Sequence, residues 1–470
     1  IGVLDRLVFL TLKDCKTIRN LPSSICELKS LQHLNLTGCS NIEELPEHLG
    51  NMEGLREFLA DGTAIKQLPF SFGSLKNLTS LSLQGRNRKL PTKSWLSLLS
   101  SWVQPRRSPD SISFLPPSIS GLCSLKRLFL NDCNLYESDI PVELGSLASL
   151  IELDLAKNNF CSLPSSLGRL SKLSVLRLEK CSSLQSVPEL PPNLGVLHAD
   201  DCTSLEKLPN LSNFKRAPVL SLSDCCRLAE IQGLENLDSV EIIHMERCSK
   251  LANTFKDSFF KGQSEEYESN IYLPSKEVPD WFSHQRMGSS ISFDMPLHMV
   301  DDQFLGMTLW VVYAAVEDRD EWFVPPSVAI CDRTNRVDWA YKPTTTHIQV
   351  TREEHSFLIH IPKSYFGYPL KGGERMDAWI NIEEPFEVKK CGIHLAFKPD
   401  ITGGDQGQSS SVNTDGRDEL MDIMHPKRGR DISVVETSCD LSKKDKFPKR
   451  LRMEPDQTKD LNTELDRLKK

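Results

Sequence analysis

The run Pro279-Asp280-Trp281-Phe282-Ser283-His284 puts a carboxylate, a hydroxyl and an imidazole side by side, the residue types of acyl transfer. Neighbours along a chain do not converge in space as such a triad must, so the run reads as packed, hydrogen-bonded structure. The chain carries no G-x-x-x-x-G-K-[ST] phosphate loop, no G-x-G-x-x-G after a strand, no H-E-x-x-H and no G-x-S-x-G. Its 14 cysteines include no C-x-x-C, and Cys225-Cys226 are too close to hold a metal as a zinc ribbon does. Catalytic residues, cofactor and metal site are therefore expected to be none. The chemistry that remains is recognition. Phe129, Asp154, Arg177, His198 and His244 recur at one position of a repeated frame, and Glu179, Asp200 and Glu246 stand two residues further on. An aromatic and a guanidinium are anchor types that protein interfaces favour. The same charges also suit a merely solvated surface.

The frame that must position them is L-x-x-L-x-L-x-x-C. It starts at Leu7, Leu31, Leu55, Leu78, Leu125, Leu150, Leu173, Leu194, Ala217 and Val240, with a period of roughly 21–25 residues and one double gap after Leu78. Such spacing marks leucine-rich repeats. Each unit gives one short strand to a curved parallel sheet, and none can bury its leucines without neighbours. The fifth and seventh frame positions point off the concave face, in ladders with ~4.8 Å between strands. The ninth position is Cys at Cys15, Cys39, Cys133, Cys181, Cys202, Cys225 and Cys248, where it would bond the backbone as the strand turns away. These thiols read as buried and reduced, which suits a reducing compartment. Three sequons, at Asn35, Asn77 and Asn210, argue the other way and keep an extracellular repeat ectodomain as the alternative.

Residues 1–252 thus read as an α/β solenoid. The double gap reads as two periods with a degenerate repeat or insert at 87–114, in which Trp95, Leu96, Leu99, Trp102 and Val103 fall at helical spacing. Residues 253–271 read as a capping segment. From 272 to 400 the texture changes to short alternating runs near Ser290–Met295, Leu305–Val316, Val328–Cys331, His347–Val350, Ser356–Ile361, Met376–Ile382 and Gly392–Phe397, which suggest an antiparallel sandwich. Tyr341, Lys342 and Tyr368 would sit in its loops, a second candidate for binding. Residues 401–470 lack Trp and Tyr and read as a disordered charged tail.

At 470 residues the chain exceeds a single core, and its net charge of −8 argues against a dedicated nucleic-acid binder. No apolar run reaches the ~18 residues of a membrane span. Ile1 already lies in a repeat without a polar cap, so the chain is expected to be the C-terminal portion of something longer.

The wording is more specific than the frame. NLPSSICELKSLQHLNLTGCSNIEELPEHLG, DGTAIKQLP and PELPPNLGVLHADDCTSLEKLP resemble the plant intracellular immune receptors that have an N-terminal Toll/interleukin-receptor (TIR) domain, a nucleotide-binding domain and C-terminal repeats. LPSKEVPDWFSHQRMGSSISFDMP, HSFLIHIPKSYF and VKKCGIHLAF resemble their post-repeat jelly-roll/Ig-like domain. The resemblance implies recognition of a pathogen effector protein and contact with the receptor's own TIR and nucleotide-binding domains. It further implies a receptor oligomer and a cytoplasmic or nuclear location. The NAD-cleaving and ATP-binding functions belong to family domains that this sequence does not contain. In the tail, Lys427, Arg428 and Arg430, then Lys443 and Lys444, then Lys449 and Arg450 resemble a two-part nuclear import signal; a balanced, solvating tail is the plainer reading.

Overall fold

The computed structural model describes residues 4–85, 113–214, 219–233, 242–251, 269–299, 303–317, 319–323, 326–343, 348–350, 352–367 and 369–398. Each frame contributes one three-residue strand: β1 (Phe9–Thr11), β2 (His33–Asn35), β3 (Glu57–Leu59), β4 (Ser80–Ser82), β5 (Arg127–Phe129), β6 (Glu152–Asp154), β7 (Val175–Arg177), β8 (Val196–His198), β9 (Val219–Ser221) and β10 (Ile242–His244). They pair in parallel, in chain order. The central residue of each strand is the fourth frame position. Leu34, Phe58, Leu81, Leu128, Leu153, Leu176, Leu197, Leu220 and Ile243 are all buried there in one core.

The turn out of each strand has a backbone signature. The eighth frame residue adopts a left-handed conformation at Asp14, Gly38, Gly62, Gly85, Asp132, Lys157, Lys180, Asp201, Asp224 and Arg247, with φ between 55° and 77°. Gly, Asp and Asn accept that region most readily. The turn aims the eighth N–H at the seventh carbonyl of the next unit, as in Lys157→Glu179 (2.7 Å) and Lys180→Asp200 (2.8 Å). The ninth residue then closes the core. From the second unit onward each ninth-position thiol donates to a carbonyl of the preceding unit, as in Cys133 to Leu83 (3.0 Å), Cys202 to Leu178 (3.1 Å) and Cys248 to Leu222 (3.0 Å). Asn158 does the same with its amide, donating to Leu130 (2.9 Å). Burial raises the Cys181 thiol to about 12.

On the convex side the described residues form 3₁₀ turns rather than α-helices, among them Ser23–Glu27, Phe70–Ser74, Pro117–Gly121, Val142–Ser146 and Ser165–Arg169. Pro22, Pro69, Pro116, Pro141 and Pro164 immediately precede these turns in extended conformation, where a proline needs no N–H. Stacked turns touch closely. A Cβ on Gly145 would stand 2.2 Å from the Ser166 carbonyl oxygen.

One expectation is corrected here. The frames at Leu78 and Leu125 lie 47 residues apart, read as two periods, yet β4 pairs directly with β5, Leu81 opposite Leu128. The double gap therefore adds no rung to the sheet. The apolar positions from Trp95 to Val103 lie outside the described residues, as do Tyr368 and every basic residue of the tail from Lys427 to Arg450.

Beyond β10 the sheet does not stop. β11 (Ser269–Leu273) pairs in parallel with β10 and antiparallel with β19 (His355–Pro362). The sheet then continues through β14 (Phe304–Ala315) and β21 (Phe386–Phe397) to β12 (His284–Met287). A second antiparallel sheet has the order β13 (Ser290–Asp294), β20 (Arg375–Asn381), β16 (Ser327–Asp332), β17 (Val337–Tyr341). β15 (Arg319–Phe323) and β18 (Ile348–Val350) form a separate pair. The expected runs match β13, β14, β16, β18, β19, β20 and β21; β11, β12, β15 and β17 have no counterpart among them.

Continuity fixes which face is which. The concave row runs His244, Tyr272, Phe357, Val311, Cys391 in register, and from Tyr272 onward it lines the core between the two sheets. The opposite face, with Leu273, Trp310, Val312 and Leu358, extends the solenoid's own core and is closed by Val278 and Phe282. In the run around Asp280, Phe282 and the partly buried Trp281 therefore serve as the lid of that core, while Asp280 and Ser283 face solvent.

Candidate partner-binding face

Strands β5 to β9 present the candidate residues in adjacent rows: Phe129 opposite Asp154, Asp154 opposite Arg177, Arg177 opposite His198. Phe129, Arg177, Glu179, His198 and Asp200 are half-buried on this concave face. The rows bond to one another. Arg177 lies between Glu152 (3.6 Å) and Glu179 (3.4 Å). Asp200 accepts from the Ser221 hydroxyl (2.8 Å) and the Ser223 N–H (3.0 Å). Asp61 repeats that arrangement with Ser82 (2.5 Å) and the Gln84 N–H (2.9 Å). An acid at the seventh position thus fastens the next unit's strand as well as facing outward.

Four residues lie elsewhere than the sequence suggests. Asp154 is buried, its carboxylate accepting from Asn131 (2.9 Å) and the Ala156 N–H (3.0 Å), because a short acid folds back on its own strand. His244 and Glu246 are buried because the sheet runs on into the antiparallel region at that point, so this end of the concave face is covered. They pair with each other (3.1 Å), Ser223 donates to Glu246 (2.8 Å), and the His244 ring stacks on Tyr272 at 4.4 Å. Tyr341 is not in a loop. It belongs to β17, is 1% exposed, and donates to Asn270 (3.1 Å) across the two sheets. Lys342 after it is exposed.

The electrostatics differ from those of isolated side chains. Burial, then the Arg177 charge, pulls His198 below its ordinary value and favours the neutral ring. Burial, with help from the like charges of Asp154 and Asp200, raises Glu179, and its Oε2 has no hydrogen-bond partner among the described residues. Burial opposes charge in the His244–Glu246 pair, but the pair's mutual attraction outweighs it: His244 is raised and Glu246 lowered.

The third frame position, overlooked in reading the sequence, supplies a further row. Val175, Val196 and Val219 stand half-buried in line beside the charged row, with Glu152 at the same position on β6. At the other end Phe9, 65% exposed, stacks on His33 at 4.4 Å, and His33 meets Glu57 at 3.0 Å. Hydrophobic residues at the x positions of the frame were the available signal. Among the described residues no group of His, Cys, Asp and Glu is arranged to hold a metal.

The comparisons with known proteins fall on both halves. Residues 27–217 match the model for disease resistance protein RPS4B-like leucine-rich repeats, and residues 273–402 match the C-JID domain. The chain is a homologue of plant disease resistance proteins. It is 29% identical to disease resistance-like protein DSC1 of Arabidopsis thaliana over 95% of its own length and 38% of that protein's. It is 35% identical to TMV resistance protein N of Nicotiana glutinosa over 64% of its own length and 24% of that protein's. The chain thus spans well under half the length of both relatives. Among solved structures, the repeat domain of the type III effector XopL is 22% identical with a TM-score of 0.39.

Proposed function

We propose that this homologue of plant disease resistance proteins is the recognition and autoregulation part of an intracellular immune receptor. It would bind a pathogen effector protein and restrain or release the receptor's TIR and nucleotide-binding domains, in a receptor that assembles into an oligomer. The observation that carries the reading is the concave face of β5–β9, which combines an aromatic, a guanidinium, half-buried carboxylates and an apolar row on a rigid sheet. Its matched regions are a repeat array and a C-JID domain, and binding rather than catalysis is the chemistry they offer. The mechanism is a population shift: an effector favours the active form only by as much as it binds that form better. The jelly-roll/Ig-like description of the second region, its loop residue Lys342, a cytoplasmic or nuclear location and the tail's import signal belong to the same proposal. No helix among the described residues is long and apolar enough to cross a membrane. Glycosylation at the sequons would disturb existing bonds: Asn77 donates to the Glu53 carbonyl (2.8 Å), and Asn210 caps Ser212 (2.9 Å).

The test uses the full-length receptor in leaves challenged with the recognised pathogen. Joint replacement of Phe129, Arg177, Glu179 and His198 by Ala should abolish the resistance response at unchanged protein level, since half-exposed strand positions contribute little to folding. Asp154 is left intact because its carboxylate holds the backbone. A full response from the folded variant overturns the assignment of this face.

A further inference from the structure

Resting on that reading of the concave face, we propose that its partner docks as an α-helix with an apolar stripe flanked by lysine or arginine, lying across β6–β9. Two observations carry this. The first is the row Val175, Val196, Val219, half-buried and in register, with Glu152 at the same position on β6. An apolar row open on one side of a sheet takes an apolar partner. The second is charge. On the concave rows of β6–β8, Glu152 and Glu179 flank the guanidinium of Arg177, and half-buried Asp200 follows Glu179 in the seventh-position row, a surplus of negative charge that a cationic partner complements. Glu179 Oε2 is without a hydrogen-bond partner among the described residues, so this carboxylate keeps one oxygen open to an incoming donor.

The spacing selects a helix. Rungs recur every ~4.8 Å, close to the ~5.4 Å rise of one helical turn, so one residue per turn can sit over each valine. An extended segment repeats its same-face residues every ~6.6 Å and falls out of step after two rungs. The footprint is bounded at β10, where Ile242 and His244 are already buried. Four rungs span ~14 Å, which is about ten helical residues.

The probe is a synthetic helix-forming peptide of about 18 residues, long enough to hold helicity in water, with a leucine stripe flanked by lysines. One control replaces the lysines with glutamate and another replaces the leucines with glutamine. Binding to the full chain is measured by fluorescence anisotropy at two salt concentrations. The leucine–lysine peptide should bind, weaken as salt rises, and exceed either control by about tenfold or more. Val196→Gln and Glu179→Gln should each weaken it several-fold in proteins whose circular dichroism melts match the parent. Equal binding of the glutamate peptide, or unchanged binding to Val196→Gln, overturns the proposal. So does displacement of the probe by a peptide of residues 426–470, which would make the chain's own basic tail the occupant. If no peptide binds while the four-residue variant above still loses resistance, the helix chemistry fails and the receptor reading stands.

Discussion

Tyr272→Ala tests whether the repeats and the antiparallel region are one mechanical unit. Tyr272 is fully buried on β11 and stacks on His244 of the last repeat at 4.4 Å and on Phe357 of β19 at 4.5 Å. Removing a buried aromatic costs about 3–5 kcal/mol, and each lost ring pair adds about 0.5–1.5 kcal/mol. Fixing the total near 5 kcal/mol predicts a fall in melting temperature of roughly 5–10 °C for a cooperative unit of this size. The assay is a thermal melt of the full chain, followed by far-ultraviolet circular dichroism and by limited proteolysis at β9 and β19. Because β10–β11 pairing passes the sheet from one region to the other, cleavage on both sides should accelerate together. Two separate transitions, with the repeats melting as in the parent, would refute the reasoning.

Three further outcomes follow from the same structure. His244 is raised and Glu246 lowered by their pairing, so the stabilisation from His244 is complete below its ordinary value of 6.5 and is lost as pH rises through the folded value. The Glu246 part is present above 4.5 and is lost as pH falls through its depressed value. The stability gap between parent and His244→Gln, measured in urea, should therefore be widest between pH 4.5 and 6.5 and narrow towards pH 8. Gly145→Ala should destabilise by about 1–3 kcal/mol in a denaturant titration, since its Cβ would meet the Ser166 carbonyl at 2.2 Å. His355→Phe should raise the melting temperature by a few degrees, because the ring is 4% exposed with neither nitrogen bonded among the described residues, so an apolar ring removes a desolvation cost of about 1–3 kcal/mol.

The repeat frame was legible because every unit states it again, so errors at one unit, such as Ala217 or Val240, are outvoted by the rest. The ninth-position thiols were legible for the same reason, and their role as donors to the preceding carbonyl followed from backbone accounting. Less could be read where one strand changes partners. SNIYL in β11 carries no frame and does not announce that it pairs both ways, so the burial of His244, Glu246 and Tyr341 was out of reach. Asp154 was misplaced because a carboxylate two residues before an N–H can turn inward as easily as outward. The left-handed eighth residue had a visible signal in Asp14, Gly38, Gly62, Gly85 and Asp132, whereas Lys157, Lys180 and Arg247 hide it. There stacking on both neighbours overrides a local preference of about 1 kcal/mol.

The left-handed turns also separate two kinds of sequence change. They tie each strand's exit to the next unit by N–H to carbonyl bonds, so the pitch of the concave face does not depend on how long the rest of the unit is. β4 and β5 keep full register across 47 residues, just as β7 and β8 do across 21. Length variation is therefore taken up between strands, and side-chain variation on the concave rows. Such a chain can gain or lose segments without blurring the pattern a partner reads, and can rewrite that pattern one rung at a time without repacking its leucines.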